Sequence, residues 1–341
     1  MKNEAERFGL NAFKAMGGLY AIGKHLAALL GKEISEVSLA ELQSKQFIDE
    51  VGQITFITAT DGNHGRGVAW AAKTVGQKAI VYLPKGASLS RLEAIREEGA
   101  FAEVTNMNYD DTVRMCADLA DEKGYVLIQD TAWEGYEEVP LSIMQGYAAI
   151  ALELVKELES LKQHPPTHVF LQAGVGSFAA AVAAYLMNHY HLNPPQIVIF
   201  ESDQADCYYK SFASKENERR VVSGDLNTIM AGLACGEPST VAFNMLEQCS
   251  TGVFSCSDEI AALGMRIYAS PIKNDPRIIS GESGAGTLGL LYYLLNNDDG
   301  KLAEEIGLNA YSNVLLFNTE GDTDPRSFRD IVWQGKYPFS Q

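Results

Sequence analysis

Two glycine-rich turns, one aspartate and one lysine carry the chemistry that the residues themselves suggest. Residues 61–67 read Asp-Gly-Asn-His-Gly-Arg-Gly and follow directly on the apolar run Ile54–Thr60. A strand that enters such a turn and leaves it as a helix brings backbone N–H groups close to a ligand, and glycine takes positive φ at little cost. The helix N-terminus beyond the turn carries partial positive charge and unpaired donors, which favours anions. Asp61 at the mouth of the turn is electrostatically odd for a phosphate site, so its carboxylate is expected to do chemistry.

The second turn, Gly174-Val-Gly-Ser177, follows an apolar run at 167–172 and opens a run of small residues. Backbone amides and a hydroxyl on a helix N-terminus make a phosphate cradle. The bland alternative is a tight turn in which glycine serves geometry alone. Ala179 and Ala180 stand where a dinucleotide fingerprint would continue toward a third glycine, and no Walker lysine follows, so the phosphate is expected to be neither NAD nor ATP. Lys14 lies in Asn11-Ala-Phe-Lys-Ala-Met-Gly-Gly18, ahead of an apolar helix expected over Leu19–Leu30. Burial there would lower its pKa and make it an amine nucleophile able to form a Schiff base. The alternative is an ordinary helix lysine whose stem lies on apolar surface.

These residues need a scaffold. The chain has 341 residues, enough for about two domains and a sizeable core. Its net charge of −17 speaks against nucleic acid or an anionic membrane as partners. No apolar run reaches membrane-spanning length, and Met1–Arg7 lacks the apolar centre of a signal peptide. The five cysteines show no metal-like spacing and the six histidines no HExxH pattern, so no metal site is expected and a reduced, cytoplasmic setting fits. A pair between Cys207 and Cys235 stays open.

Strand and helix patterns alternate almost throughout. Strands are expected at 51–60, 78–83, 101–105, 125–129, 167–172, 196–200 and 313–317. Helices are expected at 64–75, 88–98, 109–123, 142–161, 178–187, 257–269 and 286–296. The alternation implies an α/β fold with mainly parallel sheets covered by helices. Residues 62–140 hold strand–helix units of their own and read as a small α/β domain. They are inserted into a larger discontinuous domain made of 1–61 and 141–341. The segment 202–255 reads as loop-rich.

Four segments occur in order: Asn-Ala-Phe-Lys14, Asp61-Gly-Asn-His-Gly-Arg-Gly67, Ala173-Gly-Val-Gly-Ser177 and Gly281-Glu-Ser-Gly-Ala-Gly286. In this order the chain resembles the fold type II pyridoxal-phosphate enzymes, the tryptophan synthase β-like family. Asp in place of the usual Ser at 61 narrows the resemblance. With Gln129-Asp-Thr-Ala-Trp-Glu-Gly-Tyr136 and Asn318-Thr-Glu-Gly-Asp-Thr-Asp324, the chain closely resembles the diaminopropionate ammonia-lyases of that family.

The resemblance implies two parallel-type α/β domains, pyridoxal 5'-phosphate as cofactor, an amino-acid substrate and a homodimer. It implies that Lys14 binds the cofactor covalently, that Asn63 bonds the 3-hydroxyl, and that Gly174, Val175, Gly176 and Ser177 hold the phosphate. Thr319 is placed at the pyridine nitrogen, where a neutral hydroxyl leaves that nitrogen unprotonated. Asp61 and Asp130 are placed at the substrate's β-amino group, which leaves only when protonated. Lys14 and Asp61 are expected to take the α-proton from opposite faces, which would admit both D- and L-2,3-diaminopropionate. The resemblance implies an aminoacrylate product that hydrolyses to pyruvate and a second ammonia.

Bland readings stay open for several neighbours. Asp130 would serve equally as a turn cap before Thr131. Trp133 and Tyr136 suit either a pocket wall or the core. His64 reads first as a capping or packing residue, and Glu282 as a loop or cofactor-orienting residue. Members of the family carry a longer segment ahead of the lysine, so the chain reads as N-terminally short. Met1–Arg7 resembles the family's stretch just before the lysine, which favours a late start of an ordinary member. A serine/threonine dehydratase of the same fold and a catalytically impaired pyridoxal-phosphate protein are the rival readings.

Overall fold

The computed structural model describes residues 1–214, 218–297 and 300–339. Among them, nine strands run at Lys2–Asn3 (β1), Thr55–Ala59 (β2), Lys78–Leu83 (β3), Phe101–Val104 (β4), Val126–Leu127 (β5), His168–Gln172 (β6), Gln196–Ser202 (β7), Ser250–Cys256 (β8) and Val314–Asn318 (β9). They form two sheets of order β1-β9-β6-β7-β8 and β4-β3-β2-β5, with every pairing parallel.

The chain divides into two compact units, Met1–Ala12 with Ala148–Gln341, and Phe13–Tyr147. Their bounds differ from the sequence expectation, because residues 13–61 and 141–147 group with the four-stranded sheet. Strand pairing explains the difference: β2 is an inner strand of that sheet, bonded to β3 on one side and β5 on the other.

In the five-stranded unit, β6 and β7 read as unbroken apolar runs because both faces are covered. Phe170, Val198 and Phe200 pack with Leu290, Leu294, Ile306 and Leu316 in one cluster. Each such side chain, fully buried, contributes about 1.5–3 kcal/mol. In the four-stranded unit, Phe56, Ile57, Val81 and Leu83 are fully buried.

Several expected elements shift at their ends. The strand expected at 51–60 is shorter because Lys45–Val51 is a helix, opened by Ser44, whose hydroxyl accepts from Phe47 N–H at 3.2 Å. The helix expected from Leu19 starts at Ala15, directly after Lys14. The stretch 202–255 holds the helices Cys207–Phe212 and Thr240–Cys249 as well as β8, while residues 215–217 lie outside the described residues.

Both sheets reverse their strand order once. In one, the chain goes from β2 outward to β3 and β4, then returns to place β5 on the other side of β2. In the other, β7 and β8 lie on one side of β6 and β9 on the other. Open parallel sheets bind ligands beyond the carboxyl ends of strands at such reversals. Asp61 and Asp130 follow β2 and β5, and Gly174 and Thr319 follow β6 and β9.

Candidate active site

In the four-stranded unit a buried ion pair is built around Lys14. The helix Ala15–Leu29 runs so close to the helix Asn63–Thr74 that a Cβ at Gly67 would lie 2.8 Å from the Ala15 nitrogen and 2.9 Å from the Lys14 carbonyl carbon. Glycine at 67 therefore lets the second helix seat the lysine's own backbone. Lys14 Nζ donates to Asp130 Oδ2, and Asp130 is 1% exposed. The other carboxylate oxygen accepts from the Tyr109 hydroxyl at 3.4 Å, and Gln129 Nε2 donates to that hydroxyl oxygen at 3.0 Å. His64 Nδ1 stands 3.7 Å from Asp130 Oδ2, while its Nε2 is 2.7 Å from the Ile128 carbonyl oxygen. A carbonyl only accepts, so Nε2 carries the proton and Nδ1 of the neutral ring is a lone pair.

Burial opposes charge on all three groups, and the outcome differs. For Lys14, burial is outweighed by the Asp130 charge, with Tyr147 and Asp61 acting in the same direction, so its pKa stands above the ordinary lysine value. For Asp130, burial is outweighed by the charges of His64, in its protonated form, and Lys14, and the carboxyl is held down at about 2. For His64 burial prevails and the ring is pushed below its ordinary value. At neutral pH the cluster is an ammonium–carboxylate pair beside a neutral imidazole. The sequence expectation of a lowered lysine pKa is thus reversed in the ligand-free chain, because Asp130 meets the lysine within its burial.

The turn at 61–65 is shaped by a residue that sequence reasoning missed. Thr60 Oγ1 accepts from Gly62 N–H at 2.9 Å and from Gly65 N–H at 2.8 Å. These two amides are taken up inside the turn. Asp61 is half-buried, and Asn63 opens the helix.

The five-stranded unit carries the second turn. Gly176 has φ of +92°, and a Cβ there would fall on the Tyr208 hydroxyl. That hydroxyl donates to the Val175 carbonyl at 2.8 Å, which also accepts from Ser239 N–H at 3.0 Å. Tyr208 is itself held from below: Glu201 accepts from Tyr208 N–H at 2.9 Å and Tyr209 N–H at 2.7 Å, and its burial pushes the carboxyl up to about 8. Among the described residues the amides of Gly174, Val175 and Gly176 meet no protein acceptor. They stand at the N-terminus of the 13-residue helix Ser177–His189. After β9, Thr319 is 4% exposed, and its Oγ1 accepts from Gln172 Nε2 at 2.9 Å.

The remaining expectations resolve as follows. Tyr136 donates to the Leu127 carbonyl at 2.8 Å and accepts from Gln129 N–H at 3.0 Å, with Trp133 stacked on it at 4.4 Å, so the pair fixes the loop that carries Asp130. Glu282 accepts from the Ser327 hydroxyl. Cys207 and Cys235 are not joined by a disulfide. Among the described residues no cluster of His, Cys, Asp and Glu side chains is arranged to hold a metal ion, and no helix is long and apolar enough to cross a membrane. Lys14, Asp61, Asn63 and Asp130 belong to one unit, and Gly174–Ser177 with Thr319 to the other.

Comparison with known proteins identifies the family of the chain. Residues 1–317 match the family described as "Pyridoxal-phosphate dependent enzyme". The diaminopropionate ammonia-lyase of Salmonella typhimurium is 49% identical over 338 residues, which are 98% of this chain and 84% of the relative. The holo form of the Escherichia coli diaminopropionate ammonia-lyase superposes with a TM-score of 0.92 at 46% identity, covering 99% of this chain and 83% of that one. Its complex with an aminoacrylate-PLP azomethine reaction intermediate gives 0.88 at 46% identity, covering 98% and 82%. The chain belongs to the pyridoxal-phosphate dependent enzymes and, within them, to the diaminopropionate ammonia-lyases.

Proposed function

We propose that this protein is a pyridoxal-phosphate dependent lyase that converts 2,3-diaminopropionate and water to pyruvate and two ammonia: α,β-elimination expels the β-amino group as the first, and hydrolysis of the released aminoacrylate gives pyruvate and the second. The observation that carries the reading is the anionic surrounding of Lys14. Asp130 is ionised and buried against it, and the Asp61 charge reaches it as well. A serine-type dehydratase expels a neutral or anionic group and gains nothing from two carboxylates. A substrate whose leaving group is an ammonium does.

The residues suit the cofactor. Three unpaired amides at a helix N-terminus match a phosphate, and a buried lysine supplies the amine for covalent attachment. Pyridoxal phosphate, when bound, supplies the electron-withdrawing ring that acidifies the α-carbon of an amino acid. Gly174, Val175, Gly176 and Ser177 hold the phosphate. Asn63 bonds the 3-hydroxyl, and Thr319 meets the pyridine nitrogen.

Lys14 and Asp61 take the α-proton from opposite faces, so each serves one enantiomer. Asp61 and Asp130 hold the substrate's β-amino group in its ammonium form, in which it can leave. To take the α-proton Lys14 has to be a neutral amine, and in that form it no longer neutralises Asp130, whose charge is then available to the substrate's cation. The enzyme acts as a homodimer in the cytoplasm.

Pyruvate release from D- and L-2,3-diaminopropionate, measured beside D- and L-serine, tests the reading. Turnover of at least one diaminopropionate enantiomer in clear preference to serine is expected. Release from serine with none from diaminopropionate overturns it.

A further inference from the structure

We propose that Gln172 is a positioning residue that decides which way the buried Thr319 hydroxyl points, and so makes Thr319 a hydrogen-bond donor toward the ligand. The inference rests on the placement of Thr319 at the pyridine nitrogen and deepens it.

Gln172 ends β6 and Thr319 follows β9, its neighbour in the sheet. Both side chains are 4% exposed. Gln172 Nε2 lies 2.9 Å from Thr319 Oγ1, 3.1 Å from the Phe317 carbonyl oxygen and 3.3 Å from the Ser283 carbonyl oxygen. The two carbonyls fix the orientation of the amide, because the reverse orientation would press Oε1 against oxygens that cannot donate. One amide hydrogen serves the carbonyl pair, and the other is left for Thr319.

Thr319 Oγ1 is therefore an acceptor on this side, and its own O–H points elsewhere. Among the described residues that proton has no acceptor. A buried donor left unpaired is unfavourable, so the geometry calls for a ligand atom with a lone pair. An unprotonated ring nitrogen meets that need. A protonated one does not: Thr319 would have to accept a second time and leave its own hydrogen stranded. Through Thr319, Gln172 thus holds the ring nitrogen unprotonated. The effect is set by a side chain that does not itself touch the ring.

The test uses the holoenzyme loaded with pyridoxal phosphate labelled at the ring nitrogen with nitrogen-15. The nitrogen NMR signal and the cofactor dissociation constant are read for wild type, Gln172→Leu, Gln172→Glu, Thr319→Val and the Gln172→Leu/Thr319→Val double variant. Gln172→Leu is expected to move the ring-nitrogen signal and weaken cofactor binding about tenfold, the equivalent of one hydrogen bond. Gln172→Glu keeps the shape but presents an acceptor to Thr319. It should turn the hydroxyl round and shift the signal toward the protonated position. In the Thr319→Val background, Gln172→Leu should add less than about twofold, because the hydroxyl it directs is gone.

If Thr319→Val leaves both readouts unchanged, the placement of Thr319 at the ring is wrong. If Thr319→Val changes them while a folded Gln172→Glu variant matches wild type, the placement stands and the role of Gln172 is overturned.

Discussion

Lys14 and Asp130 neutralise one another in the interior of the four-stranded unit, with Nζ donating directly to a carboxylate that is 1% exposed. A buried pair of this kind is strongly destabilising to break from one side, because the remaining charge has no water to solvate it. It also ties the charge of the pair to the residue proposed as the nucleophile.

The pair gives the ligand-free protein a defined acid dependence. Asp130 is depressed from 3.8 to about 2, so the unfolded chain binds more protons than the native one between those values. Its contribution is complete above the unfolded pKa and is lost as the pH falls through about 2, worth about 2 kcal/mol. Lys14 is shifted upward, so its contribution is complete below the ordinary lysine pKa and is lost only as the pH rises past its raised folded value. Urea unfolding of the ligand-free protein from pH 2 to pH 7 should show this acid limb. Asp130→Asn should remove the Asp130 part of the limb and lower the neutral plateau by up to about 3–5 kcal/mol, since Lys14, whose side chain is 16% exposed, loses its ion-pair partner. An Asp130→Asn variant as stable as wild type at pH 7 would contradict the buried pair.

Asp61→Asn separates the two proposed proton acceptors. The amide keeps the size of the side chain but can neither take a proton nor hold an ammonium by charge. Removing a positioned acid or base costs about 10²–10⁴ in rate. Turnover of one diaminopropionate enantiomer should fall by that factor and more, while the other, whose α-proton is taken by Lys14 and whose β-amino group still meets Asp130, loses only the Asp61 share of ammonium binding and falls far less. Steady-state pyruvate assays with each enantiomer decide it, and an equal loss for both would sink the two-face assignment.

How much of this was legible in the sequence follows from what leaves a local signature. The turns at 61–67 and 174–177 were visible because glycine concentrates where a strand hands over to a helix. Lys14 was visible as a candidate, but its protonation state was not, because Asp130 lies 116 residues away. Asp130 entered only through the resemblance, having no periodic pattern of its own in Gln129-Asp-Thr-Ala. Thr60, Tyr208 and Gln172 were missed for the same reason: their roles are hydrogen bonds fixed by tertiary packing, such as the 147-residue separation between Gln172 and Thr319. The domain boundary drawn at the glycine turn cut behind β2, whereas the pairing of β2 with β3 and β5 groups that strand with the second unit.

Thr60→Val tests the turn that carries Asp61. Valine matches threonine in shape but leaves the amides of Gly62 and Gly65 without their acceptor. Each buried donor left unsatisfied costs about 1–3 kcal/mol. Thermal denaturation should show a clear loss, and hydrogen exchange at Gly62 and Gly65 should quicken relative to β2. Unchanged exchange at both amides would mean that Thr60 does not hold the turn.

Gly176→Ala and Tyr208→Phe act on the turn proposed to hold the phosphate by different routes. Alanine at 176 must adopt φ of +92° and would meet the Tyr208 hydroxyl, so the turn has to move. Backbone strain of this type costs about 1–3 kcal/mol. Tyr208→Phe leaves the backbone unstrained and removes only the bond to the Val175 carbonyl, which keeps its second donor from Ser239. Its cost is about 1 kcal/mol. Equilibrium dialysis with pyridoxal phosphate should therefore show a larger loss of affinity for Gly176→Ala than for Tyr208→Phe. In the double variant the steric part of the alanine penalty should partly relax, because the nearest colliding atom, the hydroxyl, is gone and only the ring edge, with Cζ 2.6 Å from the added Cβ, has to shift. A strictly additive double variant would show that the turn does not lean on Tyr208.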